Sequence, residues 1–302
     1  MTTMESPALA RDRHTRTSPL WQVQAEILKI RTTKVWWLFL IAIVLITAWS
    51  LVRNGASHHY ELHPPLDQYP AGERAQAAAD AVRARTYAGH AAITGDMLTS
   101  GQFLGGLLTM LLGVLTVTNE YAHQTAMATF LANPRRGMVI GAKFAAGAGL
   151  GVLFWMVSTI INMIGTTIYI RSIEHFNMNF GDPVPLRSML LNLLGYAMWA
   201  VFGVGLGTLF RAQVAAVITG LLVYLGGVAA VAAVFNLIYL AYHHTWVLGA
   251  LVVAPAVASL VMITPGQAFE HAPPQWVGLL VMLGYTLVFG AVGVVRTRRR
   301  EL

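Results

Sequence analysis

The residues best placed to do chemistry stand between two apolar runs. Thr118 to Lys143 reads TNEYAHQTAMATFLANPRRGMVIGAK. Asn119 and Glu120 lead out of the first run, and Gln124 to Leu131 read as a short helical stretch. Asn133-Pro134 ends that stretch, because proline cannot continue a helix. Arg135, Arg136 and Gly137 then make a basic turn into the next run. Nothing here makes or breaks a bond. An acid, a short helix and a basic turn held between two membrane spans suit a mechanical contact with a soluble partner. A plain basic loop between spans has the same pattern.

The other titratable residues point to less. The chain has ten histidines, and His58, His59 and His63 cluster near Glu61. No further acid or thiol stands at ligand spacing from them, so they read as solvated loop residues, and no metal site is expected. There is no cysteine, which excludes disulfides, zinc–thiolate sites and a cysteine nucleophile. No HExxH and no GxxxxGK[ST] occurs, so neither a zinc-protease helix nor a phosphate-cradling loop is expected. Any ATP-driven work must therefore draw on another chain.

These residues must be positioned by helices in a bilayer. The chain has 302 residues, 56% hydrophobic and 11% charged, against roughly 25% charged in soluble domains. Its mean hydropathy is +0.59. Six apolar runs of spanning length stand at about 35–52, 101–118, 144–170, 188–210, 214–240 and 276–295. None carries Asp, Glu, Lys, Arg or His in its interior, which argues against an ion-coupled carrier. Asn162, Asn192 and Asn236 read as interhelical hydrogen-bonding groups. Phe103, Trp155, Tyr196, Trp199, Phe202, Tyr224 and Phe235 read as core or lipid-facing aromatics, with cavity lining as the alternative.

Residues 53–100 form a mixed-charge external loop with an Ala-rich helical segment. Trp246 to Ile263 is apolar but interrupted by Pro255, and reads as a re-entrant or interfacial hairpin before the last span. Before the first span, Leu20, Val23, Ile27 and Ile30 recur at helical spacing beside Glu26, Lys29 and Arg31, which predicts an amphipathic helix lying in the interface. The polar, Arg-containing stretch before it does not read as a cleavable signal. The chain thus divides into residues 1–34, a cytosolic terminus with the amphipathic helix, and 35–302, the transmembrane domain.

Net charge is +7. With both termini inside, fourteen of the twenty Lys and Arg fall on the inner side, including Arg296, Arg298, Arg299 and Arg300. That bias places both termini in the cytoplasm of a plasma (inner) membrane. The basic residues flank apolar runs, so they read as topology signals and headgroup contacts, with no nucleic acid as partner. Gly101/Gly105 and Gly203/Gly207 are GxxxG pairs, suited to close packing within the chain or to dimerisation.

Glu120-Tyr121, Gln124-Thr125, Thr129-Phe130-Leu131, Asn133-Pro134-Arg135-Arg136 and Gly141-Ala142-Lys143 together resemble the coupling segment of the ABC-2 (type V) family of ABC-transporter permeases, in the manner of actinobacterial drug, antibiotic and lipid exporters. Gln124 stands where that family usually has glycine. Glu26, Leu28, Lys29, Arg31, Thr32 and Trp36-Trp37 resemble the family's elbow helix and first span. The resemblance covers most of the chain and implies an all-α integral membrane protein of six spans, working as one of two permease subunits, in a homodimer or heterodimer. Each would dock on a separate ABC ATPase subunit that holds ATP and Mg, so this chain carries no cofactor and no catalytic site. Glu120, Tyr121, Gln124, Thr125, Phe130, Pro134, Arg135 and Arg136 would seat in the ATPase, and Glu26, Lys29 and Arg31 would belong to the elbow. The implied function is export of an amphipathic or apolar small molecule or lipid. The rival readings are an anchor or sensor that recruits a cytosolic ATPase without transport, and a lipid-modifying membrane enzyme.

Overall fold

A computed structural model describes residues 19–124, 136–177, 180–210, 212–269 and 271–299. All regular structure among them is helical. The helices are α1 (Pro19–Thr32), α2 (Val35–Leu62), α3 (Arg74–Ala84), α4 (Tyr87–Leu98), α5 (Gln102–Ala122), α6 (Arg136–Tyr169), α7 (Pro183–Gly207), α8 (Gln213–Leu221), α9 (Gly227–Tyr242), α10 (Trp246–Gly249), α11 (Pro255–Ile263) and α12 (Gln275–Arg299). Among the described residues, six helical stretches are long and apolar enough to cross a membrane. Apolar helices of that length satisfy every backbone group internally, as the bilayer core demands.

The bundle is built around α7, which packs against α4, α5, α6, α11 and α12. Proline at the first position of α7 suits a helix start, where its missing N–H costs nothing. Met110, Val114, Trp199, Phe202, Tyr224 and Met282 form the middle of the main apolar core. Small residues let α5 and α7 approach backbone to backbone. A side chain on Gly203 would collide with the carbonyl of Met110, and one on Gly207 would lie 2.8 Å from the Val114 carbonyl. The Gly203/Gly207 pair is therefore spent on packing inside the chain.

The helices run longer than the apolar windows. Residues 53–100 hold the last ten residues of α2, then α3, then α4, of which Ala91, Ile93, Thr94, Gly95, Met97 and Leu98 are buried. α4 and α5 form one apolar stretch, Tyr87–Ala122, broken at Gly101. Gly101 has φ 82 and packs against Thr47, a conformation and a closeness that favour glycine. Asn162 of α6 holds that break, donating to the Leu98 and Ser100 carbonyls at 3.1 and 3.0 Å. The amide of Asn192 has no partner among the described residues, and Asn236 donates only to the Ala232 carbonyl of its own helix.

The stretch Trp246–Val253 and α11 meet at an angle of 105°. α11 is buried, and its Ser259 Oγ accepts from Trp199 Nε1 at 3.0 Å and Gln102 Nε2 at 2.6 Å. The turn is thus tied into the protein through α5 and α7.

The two ends of the bundle can be told apart. Gly293, one turn before Arg296, lies beside Phe144, so the start of α6 and the end of α12 share one end. The end of α2, the start of α7 and the end of α6 gather at the other, where Tyr87 donates to Asp182 at 2.8 Å.

Candidate functional site

The site forms where α1 meets the end of α5 and the start of α6. Glu26 sits midway along α1, Lys29 one turn on, Glu120 in the last turn of α5, and Lys143 two turns into α6. Their side chains close a ring of alternating charge. Lys29 Nζ lies 2.8 Å from Glu26 Oε1 and 2.7 Å from Glu120 Oε1. Lys143 Nζ lies 2.7 Å from Glu26 Oε2 and 2.7 Å from Glu120 Oε1.

Burial makes this ring consequential. The Lys143 side chain is 3% exposed, Glu26 8% and Glu120 10%, while Lys29 reaches the surface at 43%. A buried ammonium or carboxylate is tolerated only when paired and hydrogen-bonded. Two acids and two bases balance, so the ring as a whole is neutral. Burial works against the Lys29 ammonium, but its hydrogen bonds to Glu120 and Glu26 and their charges outweigh that, and its pKa is raised.

The ring also fixes how α1 lies. Glu26 and Ile30 turn toward the protein, whereas Leu20, Trp21, Ile27 and Leu28 face outward. The acidic residue of this amphipathic helix is therefore directed inward by its lysine partners. Arg31 is exposed, and its carbonyl accepts from Trp36 Nε1 at 3.2 Å. A cavity of about 330 Å³ lies between α1 and α5, with Ile30, Thr33, Leu112 and Leu115 among its walls.

Of the residues expected to face a soluble partner, Glu120 is inside the ring. Tyr121 is half-buried in the last turn of α5. Gln124 is exposed and has φ 58. That left-handed backbone is the one glycine adopts freely. Thr125, Phe130, Pro134 and Arg135 lie outside the described residues, and Arg136 is described only as the backbone that opens α6. Lys143 was legible as part of a motif but not as the partner of Glu26. Its signal was a lysine placed early in an otherwise apolar helix, which requires a counter-charge nearby.

A second polar cluster occupies the opposite end. His58 lies between Glu61 Oε2 at 2.9 Å and Asp96 Oδ2 at 3.0 Å. His59 Nδ1 and His63 Nε2 face the two oxygens of Glu174 at 2.7 and 3.0 Å. These histidines belong to α2 and its cap instead of a loop, and three of them meet acids distant in sequence. An apolar groove of about 540 Å³ opens beside them, between Leu51, Gly55, Met97, Gly165 and Tyr169.

A scan against protein-family models finds none that matches this chain, and a search of curated proteins finds no match either.

Proposed function

We propose that this chain is the membrane subunit of an ATP-driven exporter of the ABC-2 kind, energised by a separate ATPase chain and moving an amphipathic or apolar small molecule or lipid. One observation carries the reading. The charge ring joins α1 to both flanks of residues 125–135, so these three parts move as a unit. A soluble ATPase pushing on that segment would displace α1, α5 and α6 together, and through α5 and α6 the central helix α7.

The elbow role of α1 is supported by its outward apolar residues and its inward acid, which suit a helix lying at the bilayer surface. In this role Glu120 links the segment to α1, and contact with the ATPase falls to Tyr121, Gln124 and residues 125–136. The bent pair around Ala254 is read as a re-entrant hairpin. Neither half reaches the roughly 20 residues that a span requires. Lys29, Lys143 and Arg296 share one end, which the positive-inside rule assigns to the cytoplasm of the inner membrane, with both termini there. A second permease subunit completes the pathway.

The test is co-purification of the full chain from native membranes in mild detergent, followed by reconstitution in vesicles. ATP hydrolysis accompanying the chain, with ATP-dependent loading of a lipophilic probe, is expected. A chain recovered with no ATP-hydrolysing partner would remove the reading.

A further inference from the structure

We propose that His59, His63 and Glu174 form a binding site for a divalent transition metal such as Zn²⁺, at the end of the bundle opposite the charge ring. His59 and His63 are four residues apart at the end of α2 and so lie on one helix face. Glu174 arrives from α6 through a π-helical turn, Ile170–Glu174, that closes at His175 in a left-handed conformation. The candidate ligand atoms of all three residues lie within 4.8 Å of one another.

The geometry is close to a metal's requirements. Two ligands held at about 2.0–2.1 Å in a tetrahedral site stand about 3.3 Å apart. His59 Nδ1 and His63 Nε2 stand 2.7 and 3.0 Å from Glu174 oxygens, so those gaps need open by about 0.6 and about 0.3 Å. Both imidazoles are half-exposed, with side-chain exposures of 49% and 50%, and can rotate to close on an ion arriving from solvent. The metal replaces the protons now shared between each imidazole and the carboxylate. For neutral rings this moves the remaining proton of His59 to Nε2 and that of His63 to Nδ1.

The surroundings support the carboxylate and permit the ion. The Glu174 side chain is 2% exposed, and Tyr169 donates to its Oε1 at 3.0 Å, fixing the orientation of the acid. Arg85 Nη2 lies 3.2 Å from His63 Nδ1 and donates to the Leu62 carbonyl at 2.6 Å; it leaves the Nε2 face open, and the ring rotation that brings Nε2 onto the ion must also carry Nδ1–H away from this guanidinium. Two neutral histidines and one carboxylate are a ligand set that zinc uses with water in the fourth position. A bound ion would pin the end of α2 to the end of α6. This site stands on its own donors, whether or not the chain is an exporter.

The experiment titrates Zn²⁺ alone into the purified full chain, carried without a polyhistidine tag, against a metallochromic competitor. One saturable site per chain is expected, weakened at least tenfold in His59→Ala, His63→Ala and Glu174→Gln, and unchanged in the control His243→Ala/His244→Ala. Tyr169→Phe keeps the stoichiometry and weakens binding about tenfold. Co²⁺ should give the visible absorption of a four-coordinate site, lost in His63→Gln, which keeps a polar side chain should Glu174→Gln fail to fold. No saturable binding, or binding that none of the three ligand substitutions alters in monodisperse protein, overturns the proposal.

Discussion

Lys143 Nζ of α6 lies 2.7 Å from Glu26 Oε2 of α1, a partner 117 residues earlier in the chain. The contact brings the N-terminal helix against the start of a membrane span, and both charges are buried. Removing one partner strands the other. Lys143→Met is expected to destabilise by on the order of 3 kcal/mol, read as a lowered melting temperature in detergent. Glu26→Gln/Lys143→Met should cost less than the sum of the single changes, because it removes a matched pair and leaves Lys29 with Glu120. Additive costs would show that the two side chains do not meet.

The exposed member of the ring provides a pH test. The folded-state pKa of Lys29 is raised above the usual 10.5. A group raised on folding stabilises fully below its unfolded value and loses that contribution as pH climbs through the folded one. The stability difference between wild type and Lys29→Met should therefore be constant at neutral pH and shrink above about pH 10.5. A difference that widens in alkali would contradict the pairing.

Gln124 holds a left-handed backbone at φ 58. Side chains in that region cost about 1–2 kcal/mol relative to right-handed geometry, while glycine gives back part of the gain through the freedom of its unfolded chain. Gln124→Gly should raise the melting temperature slightly, and the β-branched Gln124→Val should lower it. The reverse order would show that the turn after α5 is not left-handed.

Asn162 donates to two carbonyls at the α4–α5 break. Asn162→Leu leaves both buried acceptors without that donor, at about 1–3 kcal/mol. Asn162→Asp, which cannot donate when ionised, should be at least as damaging. Unchanged melting in both variants would mean that the break is held by other contacts.

The spans were legible because apolar runs of twenty residues have few other uses. Their true ends were not: the last ten residues of α2 and most of α4 carry polar residues that hydropathy cannot distinguish from a loop. Gly101 marked the break between α4 and α5 only as half of a packing motif. In the candidate site, Glu26, Lys29 and Glu120 stood out individually by type and position. Their closure into a ring with Lys143 did not, since no local pattern connects residues 91 or 117 positions apart. The same holds for His59 and His63, whose acid Glu174 is 115 and 111 residues away. Seen alone, His58, His59 and His63 had only Glu61 nearby, and a solvated loop was the simpler reading.

The measurement closest to the central claim is transport per ATP hydrolysed, in vesicles containing the complex recovered with the full chain, for wild type and Lys29→Met. Lys29 reaches the surface, so its loss should spare assembly. The account predicts that the variant still hydrolyses ATP and delivers several-fold less probe per turnover, because α1 loses its direct link to Glu120 at the end of α5 and is held to the segment's flanks by Lys143 alone. Wild-type coupling in Lys29→Met, or the absence of any ATP hydrolysis with the wild-type chain, would contradict it.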